Sequence, residues 1–404
     1  MSKVKQSTEI LHEPTLSTGG YLVGRDSELD PVLSVVMPTL DEEEGIATCI
    51  EKVKTAASEL EVLTEIVVSD SSTDRTPEIA REMGAVVIEP DQPGYGYAYR
   101  YAFDRVRGEY VVMGDADTTY DFEEIPRLVS HLDETGADIV MGSRLEGEIE
   151  PGAMPALHKH IGNPLLTRFL NTFYGTDVSD AHSGFRVIRR EALEKLDLDT
   201  TGMEFASEMI MEAGRNDLVI EEVPIVYHER EGEETLESFR DGWRHVRFML
   251  LNAPGYLFSV PAAVFGFVGV VLMLGSVLGG QVLGLTLGIH TAILGSLLSI
   301  VGYQVGSLTV FSAVTSDPIR SPNDPLTGWV TESGRLEHGL AVGTILFTVG
   351  TVYLGYVASQ WFLAGGALVP SVIPNILAFT AIVLGIQTVF FSFFLSMVAS
   401  KQVL

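Results

Sequence analysis

From Val32 onward the chain alternates short apolar runs with longer amphipathic stretches. VLSVVM (32–37), EVLTEIVVS (61–69), GAVVIE (84–89), EYVVMG (109–114) and ADIVMG (137–142) are β-branched and bounded by polar residues. Between them, 41–59, 74–83, 95–107 and 122–134 read as amphipathic helices. Strands spaced by helices predict an α/β fold on a doubly wound, mostly parallel sheet. Ligands of such sheets sit beyond the carboxyl ends of the strands. PTLDEEEG, SDSSTDRT and GDADTTYD each follow a predicted strand directly. Three polar motifs at one edge of one sheet make a site. Residues 143–230 are less regular, with helices expected near 157–173, from Arg189 and over 204–214. The turn DAHSGFR lies among them, and the strand DLVIEEVPIVY follows.

The pattern then changes. TLESFRDGWRHVRFML (235–250) puts Leu236, Phe239, Trp243, Val246 and Leu250 on one helical face and Arg240, Arg244 and Arg247 on another. Apolar and aromatic residues opposite arginine suit a helix lying in a bilayer interface. Four long apolar segments follow, about 256–279, 289–314, 339–361 and 372–399, each long enough to span a membrane. The first and third connecting loops are uncharged, Arg320 and Arg335 lie in the middle loop, and Lys401 follows the last span. The positive-inside rule then places both termini, the middle loop and the preceding domain in the cytoplasm, on a cell membrane. No acidic or basic side chain falls inside these spans, so an ion pathway is unsupported. The expected organisation is a loose tail over 1–30, an α/β domain over 31–234, an interfacial helix over 235–252 and a four-helix transmembrane domain over 253–404, through which copies of the chain can associate.

Charge divides the chain at the same place. Of 54 acidic residues only Asp317, Asp324, Glu332 and Glu337 follow residue 250, so the first domain carries nearly all of the −28 net charge. So acidic a surface excludes nucleic acid as a partner, since phosphate contacts need basic clusters. Acidic residues outnumber basic ones about two to one, and only 7 of the basic residues are lysine. That balance suits a cytoplasm of very high salt, where screening removes the cost of self-repulsion. The one cysteine, Cys49, excludes an intrachain disulfide.

In GDADTTYD, Asp115 and Asp117 stand one residue apart at a strand end, so both can reach one divalent cation. Mg²⁺ is commonly held by one or two carboxylates plus substrate phosphates. An Asp-x-Asp triplet by itself also caps helices and fills turns; its place beside two other polar strand ends favours the metal. Glu204 and Glu208, four apart, suit either sugar hydroxyls or a solvated face. His182 has no second ligand at metal spacing and reads as structural. Tyr95, Tyr97, Tyr99 and Tyr101, interleaved with Gly94 and Gly96, read as a loop entering a helix, with a substrate lid as the alternative.

PTLDEEEG, SDSSTDRT, GDADTTYD, GSR and SGFRVIRREAL, in this order, resemble a family 2 glycosyltransferase with the GT-A nucleotide-sugar fold. More narrowly, residues 32–250 resemble the dolichyl- or polyprenyl-phosphate sugar synthases, including archaeal dolichyl-phosphate hexosyltransferases, and a four-span tail is similar to one branch of them. The resemblance implies transfer of a sugar from a nucleotide donor of UDP-glucose or GDP-mannose type to a dolichyl or polyprenyl phosphate, with inversion. It implies that Pro38, Leu40, Glu42 and Asp70 line the base and ribose pocket, and that Asp115 and Asp117 hold Mg²⁺ or Mn²⁺ against the diphosphate. Asp117, Arg144 and Arg186 are then the expected catalytic set. Arg144, Lys159, His160, Asn163 and Arg230 are expected to take the acceptor phosphate. Three positions depart from the family pattern: the usual Asp-Asp-Gly-Ser is Ser69-Asp70-Ser71-Ser72, a frequent glutamine is Thr119, and Arg-x-Gly-x-Ser-Lys reads Arg230-Glu231-Gly232-Glu233-Glu234-Thr235. Processive polysaccharide synthases of the same superfamily carry Gln-x-x-Arg-Trp, which is absent here. A non-catalytic scaffold is disfavoured by the intact aspartates and arginines.

Overall fold

The computed structural model describes residues 20–231, 238–279, 281–282, 285–315, 319, 336–367 and 371–401. It divides into two compact units, Met1–Met249 and Leu250–Leu404. Leu236 and the middle loop with Arg320 and Arg335 lie outside the described residues.

The first unit is built on seven strands in the order β3-β2-β1-β4-β6-β5-β7. They are β1 (Leu33–Thr39), β2 (Thr64–Asp70), β3 (Val86–Ile88), β4 (Tyr110–Met113), β5 (Ile139–Ile149), β6 (Arg186–Arg189) and β7 (Ile220–Tyr227). All neighbours run parallel except β6, which is antiparallel to both β4 and β5. The mostly parallel α/β sheet expected above is therefore present. The strand β6 was not anticipated: RVIR is four residues long, and its place depends on β4 and β5 flanking it rather than on its own pattern.

Besides a single helical turn at Arg190–Leu193, where the sequence predicts a helix from Arg189, the helices are α1 (Ile46–Leu60), α2 (Thr76–Glu82), α3 (Tyr95–Phe103), α4 (Ile125–Thr135), α5 (Asn163–Tyr174) and α6 (Phe205–Arg215). Val35 and Met37 of β1 pack in one cluster with Ile46, Ile50 and Val53 of α1, Ile125 and Leu128 of α4, and Phe185. Ser34 and Val36, which point the other way, are equally buried, so both faces of the sheet are covered. That is why its strands read as near-continuous apolar runs. Helix α1 starts at Ile46, because 40–45 forms a loop over the site. Residues 20–30, expected within a loose tail, instead lie along the domain: Val23 N donates to Thr64 O at 2.9 Å, and Arg107 donates to the carbonyls of Gly24 and Ser27.

Helix α7 (Ser238–Leu251) follows. Within the first unit its buried line is His245 and Met249, while Trp243, Arg244 and Arg247 are exposed. The side seated on the domain is thus neither of the two faces expected from periodicity. His245 Nδ1 meets Ser207 Oγ at 2.9 Å, and the Tyr174 hydroxyl donates to Met249 O at 2.7 Å. These polar contacts pick the buried edge, which a hydrophobic pattern does not register.

The second unit contains α8 (Val260–Val277), α9 (Ile289–Thr315), α10 (Leu336–Leu363) and α11 (Val372–Lys401). Each of the four corresponding segments is long and apolar enough to cross a membrane, as the four apolar runs predicted. The third helix begins earlier than the expected span and takes Glu337 into its first turn. Pairs meet at small residues: Gly269, Gly295 and Ser299 bring α8 onto α9, and Gly343, Gly350 and Gly385 bring α10 onto α11. Ser296 and Thr380 hydroxyls join α9 to α11 at 2.7 Å.

Candidate active site

The carboxyl ends of β1, β2 and β4 carry the three polar loops, and local hydrogen bonds stitch them together. Thr39 Oγ1 donates to Asp70 Oδ1 at 2.7 Å across the β1–β2 register. Asp41, in the left-handed region at φ 57°, accepts the amide protons of Thr73 and Asp74 on Oδ1. The amide of Asp41 donates to Ser72 Oγ, and that of Glu42 to Thr76 Oγ1. SDSSTDRT therefore serves as a scaffold for PTLDEEEG. Pro38 is half-buried in β1, Leu40 is 58 % exposed and Asp70 is buried.

After β4 the chain turns sharply, with Thr118 at φ 65°. A non-glycine residue in this region is uncommon and marks a backbone fixed by its surroundings. Asp117 Oδ1 accepts both the amide (3.1 Å) and the hydroxyl (2.5 Å) of Thr119. Thr119 thus fixes the rotamer of Asp117. Asp115 Oδ1 accepts the Tyr95 hydroxyl at 2.9 Å, while its Oδ2 accepts no hydrogen bond among the described residues. Gly45 lets the first loop lie directly on this turn, since a Cβ there would come 2.7 Å from Ala116 O.

The continuation of β7 supplies the cation. Tyr227 bridges to Tyr120, His228 N donates to Thr119 O at 3.0 Å, and Glu231 N donates to Asp117 O at 3.2 Å. Arg230 is thereby laid across the turn, 3.5 Å from Asp117 Oδ2 and ion-paired with Glu42. Glu42, Asp117 and Arg230, remote in sequence, form one group. Burial raises the Glu42 carboxyl to about 7; Arg230 pulls it down, and Asp117 and Asp115 push it up. Burial and the neighbouring Asp117 raise Asp115 to about 7, against the lowering effect of the Tyr95 hydrogen bond. Three carboxylates sharing one arginine leave a deficit of positive charge.

That deficit fits a divalent cation. Among the described residues no cluster of three or more His, Cys, Asp or Glu side chains makes a closed metal cage. The donor set of Asp115 and Asp117 fits an open site, which phosphate oxygens would complete.

The other expected cations are placed differently. Arg144, buried at the end of the regular part of β5, donates Nε and Nη2 to Asp180 at 2.7 and 2.9 Å, and its ring-facing side lies 5.2 Å from the Tyr227 centroid. Burial pushes Asp180 up, but Arg144 outweighs it and holds the carboxyl below its ordinary range. Arg186 is fully buried and donates to the carbonyls of Ser183, Ala181 and Ala206. Among the described residues its Nη1 has no hydrogen-bond partner, and burial depresses its basicity. Lys159 and His160 lie in the turn His158–Gly162 and Asn163 opens α5, its Nδ2 3.5 Å from Met154 Sδ. Among the described residues, none of these three bonds to the Asp117–Arg230 group.

Three participants escaped the sequence reading. In the sequence Tyr95 suits a loop entering a helix or a lid, Asp180 stands in the turn DAHSGFR and Asp41 in PTLDEEEG, and the pattern assigns none of them a contact in the site. The Asp-Ala-His preceding Ser-Gly-Phe-Arg was the available signal for Asp180. Glu208 is neither on a solvated face nor open to sugar: it caps the backbone of Asp199 and Thr200. His182, expected to be structural, is half-buried with Nε2 3.2 Å from Ser207 Oγ.

Comparison with known proteins bears on this geometry. Residues 34–197 match the model of glycosyl transferase family 2, and 311–399 that of the glycosyltransferase family 2 C-terminal transmembrane region. The chain is 57 % identical over 390 residues to the low-salt glycan biosynthesis hexosyltransferase Agl6 of Haloferax volcanii, covering 96 % of this chain and 94 % of that one. It is 36 % identical over 211 residues to a dolichyl-phosphate hexose transferase of the same organism, covering 52 % of this chain and 89 % of the relative. A polyprenol monophosphomannose synthase of Mycolicibacterium smegmatis is 32 % identical over 218 residues, covering 49 % and 77 %. Among solved structures, glucosyl-3-phosphoglycerate synthase from Mycobacterium tuberculosis, crystallised with Mn²⁺, UDP and glucosyl-3-phosphoglycerate, is similar at 24 % identity and a TM-score of 0.45, over 59 % of this chain and 85 % of that one. An α/β domain with a carboxylate-rich sheet edge, a transmembrane region and near-full-length similarity to a hexosyltransferase converge: the chain is a membrane glycosyltransferase and belongs to glycosyltransferase family 2.

Proposed function

We propose that this enzyme transfers a hexosyl group from a nucleotide sugar to the phosphate of a dolichyl or polyprenyl phosphate, at the cytoplasmic face of the cell membrane. The observation that carries the reading is the meeting of Glu42, Asp115, Asp117 and Arg230 at one sheet edge in a chain that also carries four apolar spans. The named relatives, a dolichyl-phosphate hexose transferase and a polyprenol monophosphomannose synthase, support the same acceptor class.

The chemistry follows from charge. A phosphate monoester is already an oxyanion at neutral pH, so the acceptor needs no strong general base. Its oxygen bonds to the anomeric carbon, the bond from that carbon to the donor diphosphate breaks, and the electron pair leaves with the nucleoside diphosphate. Direct displacement inverts the anomeric centre. The difficulty is holding two like-charged phosphates within reach. Asp115 and Asp117 would hold Mg²⁺ or Mn²⁺, which when bound supplies Lewis-acid neutralisation of the leaving diphosphate. Arg230 restrains Asp117 and offers the nearest guanidinium to incoming phosphate. Thr39 and Asp70 fix the β1–β2 ends beneath the nucleotide, with Pro38, Leu40 and Glu42 as its walls. Arg144 reaches the acceptor side while Asp180 locks its orientation. Arg186 supports the wall from inside, and Lys159, His160 and Asn163 would take the acceptor phosphate.

The test uses membranes containing the chain, in high salt, with labelled nucleotide sugars and Mn²⁺. A mild-acid-labile sugar lipid should form, and chelator or Asp117→Ala should abolish it. No such product with any donor would sink the reading.

A further inference from the structure

Tyr95 opens helix α3, where the sequence suits a loop entering a helix, and it is the side chain bonded to the carboxylate of Asp115. Its hydroxyl donates to Asp115 Oδ1 at 2.9 Å, leaving Oδ2 free of hydrogen bonds among the described residues. Gly184 closes the other side: a Cβ there would stand 3.1 Å from Asp115 Oδ2 and 3.4 Å from the Tyr95 hydroxyl. Asp115 is therefore confined between a donor and a bare backbone. Tyr95 is confined in turn, its ring meeting Tyr99 edge-on at 5.2 Å while Tyr99 stacks on Phe205 at 5.4 Å.

What sets the height of Tyr95 is the loop 199–202. The amides of Gly96 and Tyr97 donate to Thr201 O at 3.1 and 3.3 Å, and a Cβ on Gly96 would come 2.8 Å from Thr200 O. That loop has its own anchor. Glu208 accepts the amides of Asp199 (3.0 Å) and Thr200 (3.1 Å) and the Thr200 hydroxyl (2.5 Å). Burial raises the Glu208 carboxyl, and these hydrogen bonds oppose it.

Resting on the metal reading above, we infer that Tyr95 is a positioning residue that presents Asp115 Oδ2 to the divalent cation, and that Glu208 holds Tyr95 in place through the loop 199–202. A partner of this kind orients a metal ligand, and its loss commonly weakens metal binding ten- to hundredfold. Tyr95→Phe removes one oxygen and keeps the aromatic packing, so the fold is retained.

The experiment is a Mn²⁺ titration of the full chain in nanodiscs with UDP present, free Mn²⁺ being read by electron paramagnetic resonance. Tyr95→Phe should weaken Mn²⁺ binding about tenfold. Glu208→Gln should weaken it less, and should add little in the Tyr95→Phe background, because the two act through one chain of contacts. Sugar transfer by Tyr95→Phe should recover at saturating Mn²⁺. A wild-type chain that binds no Mn²⁺ overturns the metal reading and this inference with it. Wild-type binding with unchanged affinity in Tyr95→Phe, whatever happens to its melting temperature, overturns this inference alone. Full additivity of the two substitutions overturns the part assigned to Glu208.

Discussion

Asp115 is costly to ionise, and replacing it with asparagine isolates that cost. Burial and Asp117 raise its carboxyl from an ordinary 3.8 to about 7 in the folded chain. The sign follows from linkage. The folded state binds more protons than the unfolded state between those two values, so stability present at low pH is lost as pH rises through 7. At about 1.4 kcal/mol per tenfold change in acidity, ionisation at pH 8 costs about 4 kcal/mol. Asp115→Asn keeps an oxygen for the Tyr95 hydroxyl and removes the charge beside Asp117, recovering about 3 kcal/mol of this. For a domain of this size that is about 6 °C or more in melting temperature. The assay is thermal unfolding of the full chain in detergent and high salt, with chelator, at pH 8 and pH 5. The variant should gain most at pH 8 and less than half as much at pH 5, where Asp115 is protonated in the folded chain but already ionised in the unfolded one. Mn²⁺ with UDP should stabilise only the wild type. A variant no more stable than wild type at pH 8, or equally stabilised at both pH values, would refute the electrostatic reasoning.

Other outcomes follow from the same contacts. Arg230→Ala strands Glu42 and Asp117 without their cation and should lower kcat/KM for sugar transfer by about 10²–10³-fold; Arg230→Lys should fall between, since one ammonium cannot serve both carboxylates as a fork does. Asp180→Ala leaves the buried Arg144 unpaired and should destabilise the first unit by about 3–5 kcal/mol, read by denaturant unfolding of the full chain. Gly45→Ala pushes the 40–45 loop off Ala116 and should cost about 1–3 kcal/mol of stability together with nucleotide affinity, measured by melting and by UDP titration.

The sheet and the spans were legible because they rest on local periodicity. Val35, Val36 and Met37 announce a strand covered on both faces, and the runs after residue 255 announce a membrane, without reference to the rest of the chain. The site was legible in part, because PTLDEEEG, SDSSTDRT and GDADTTYD must share an edge once their strands are parallel. What pattern could not give was which charges meet. Arg230 reaches Glu42, 188 residues away in sequence, only because β7 runs on past Tyr120. Arg144 finds Asp180 through the strand β6 placed between β4 and β5, and β6 itself is too short to declare its partners. Helix α7 shows the converse: its buried edge is chosen by His245 and Met249, a polar and an apolar contact that hydrophobic spacing divides between faces.

A lipid phosphate that accepts the sugar carries its own charge and needs no general base. The direct measurement offers the purified chain, in nanodiscs with Mn²⁺ and its nucleotide sugar, two acceptors of equal chain length: polyprenyl phosphate and polyprenol. Labelled sugar should pass to the phosphate and not to the alcohol. Transfer to polyprenol at a comparable rate would contradict the account, since a hydroxyl acceptor requires a base that Glu42, Asp115 and Asp117 have been assigned other work than supplying.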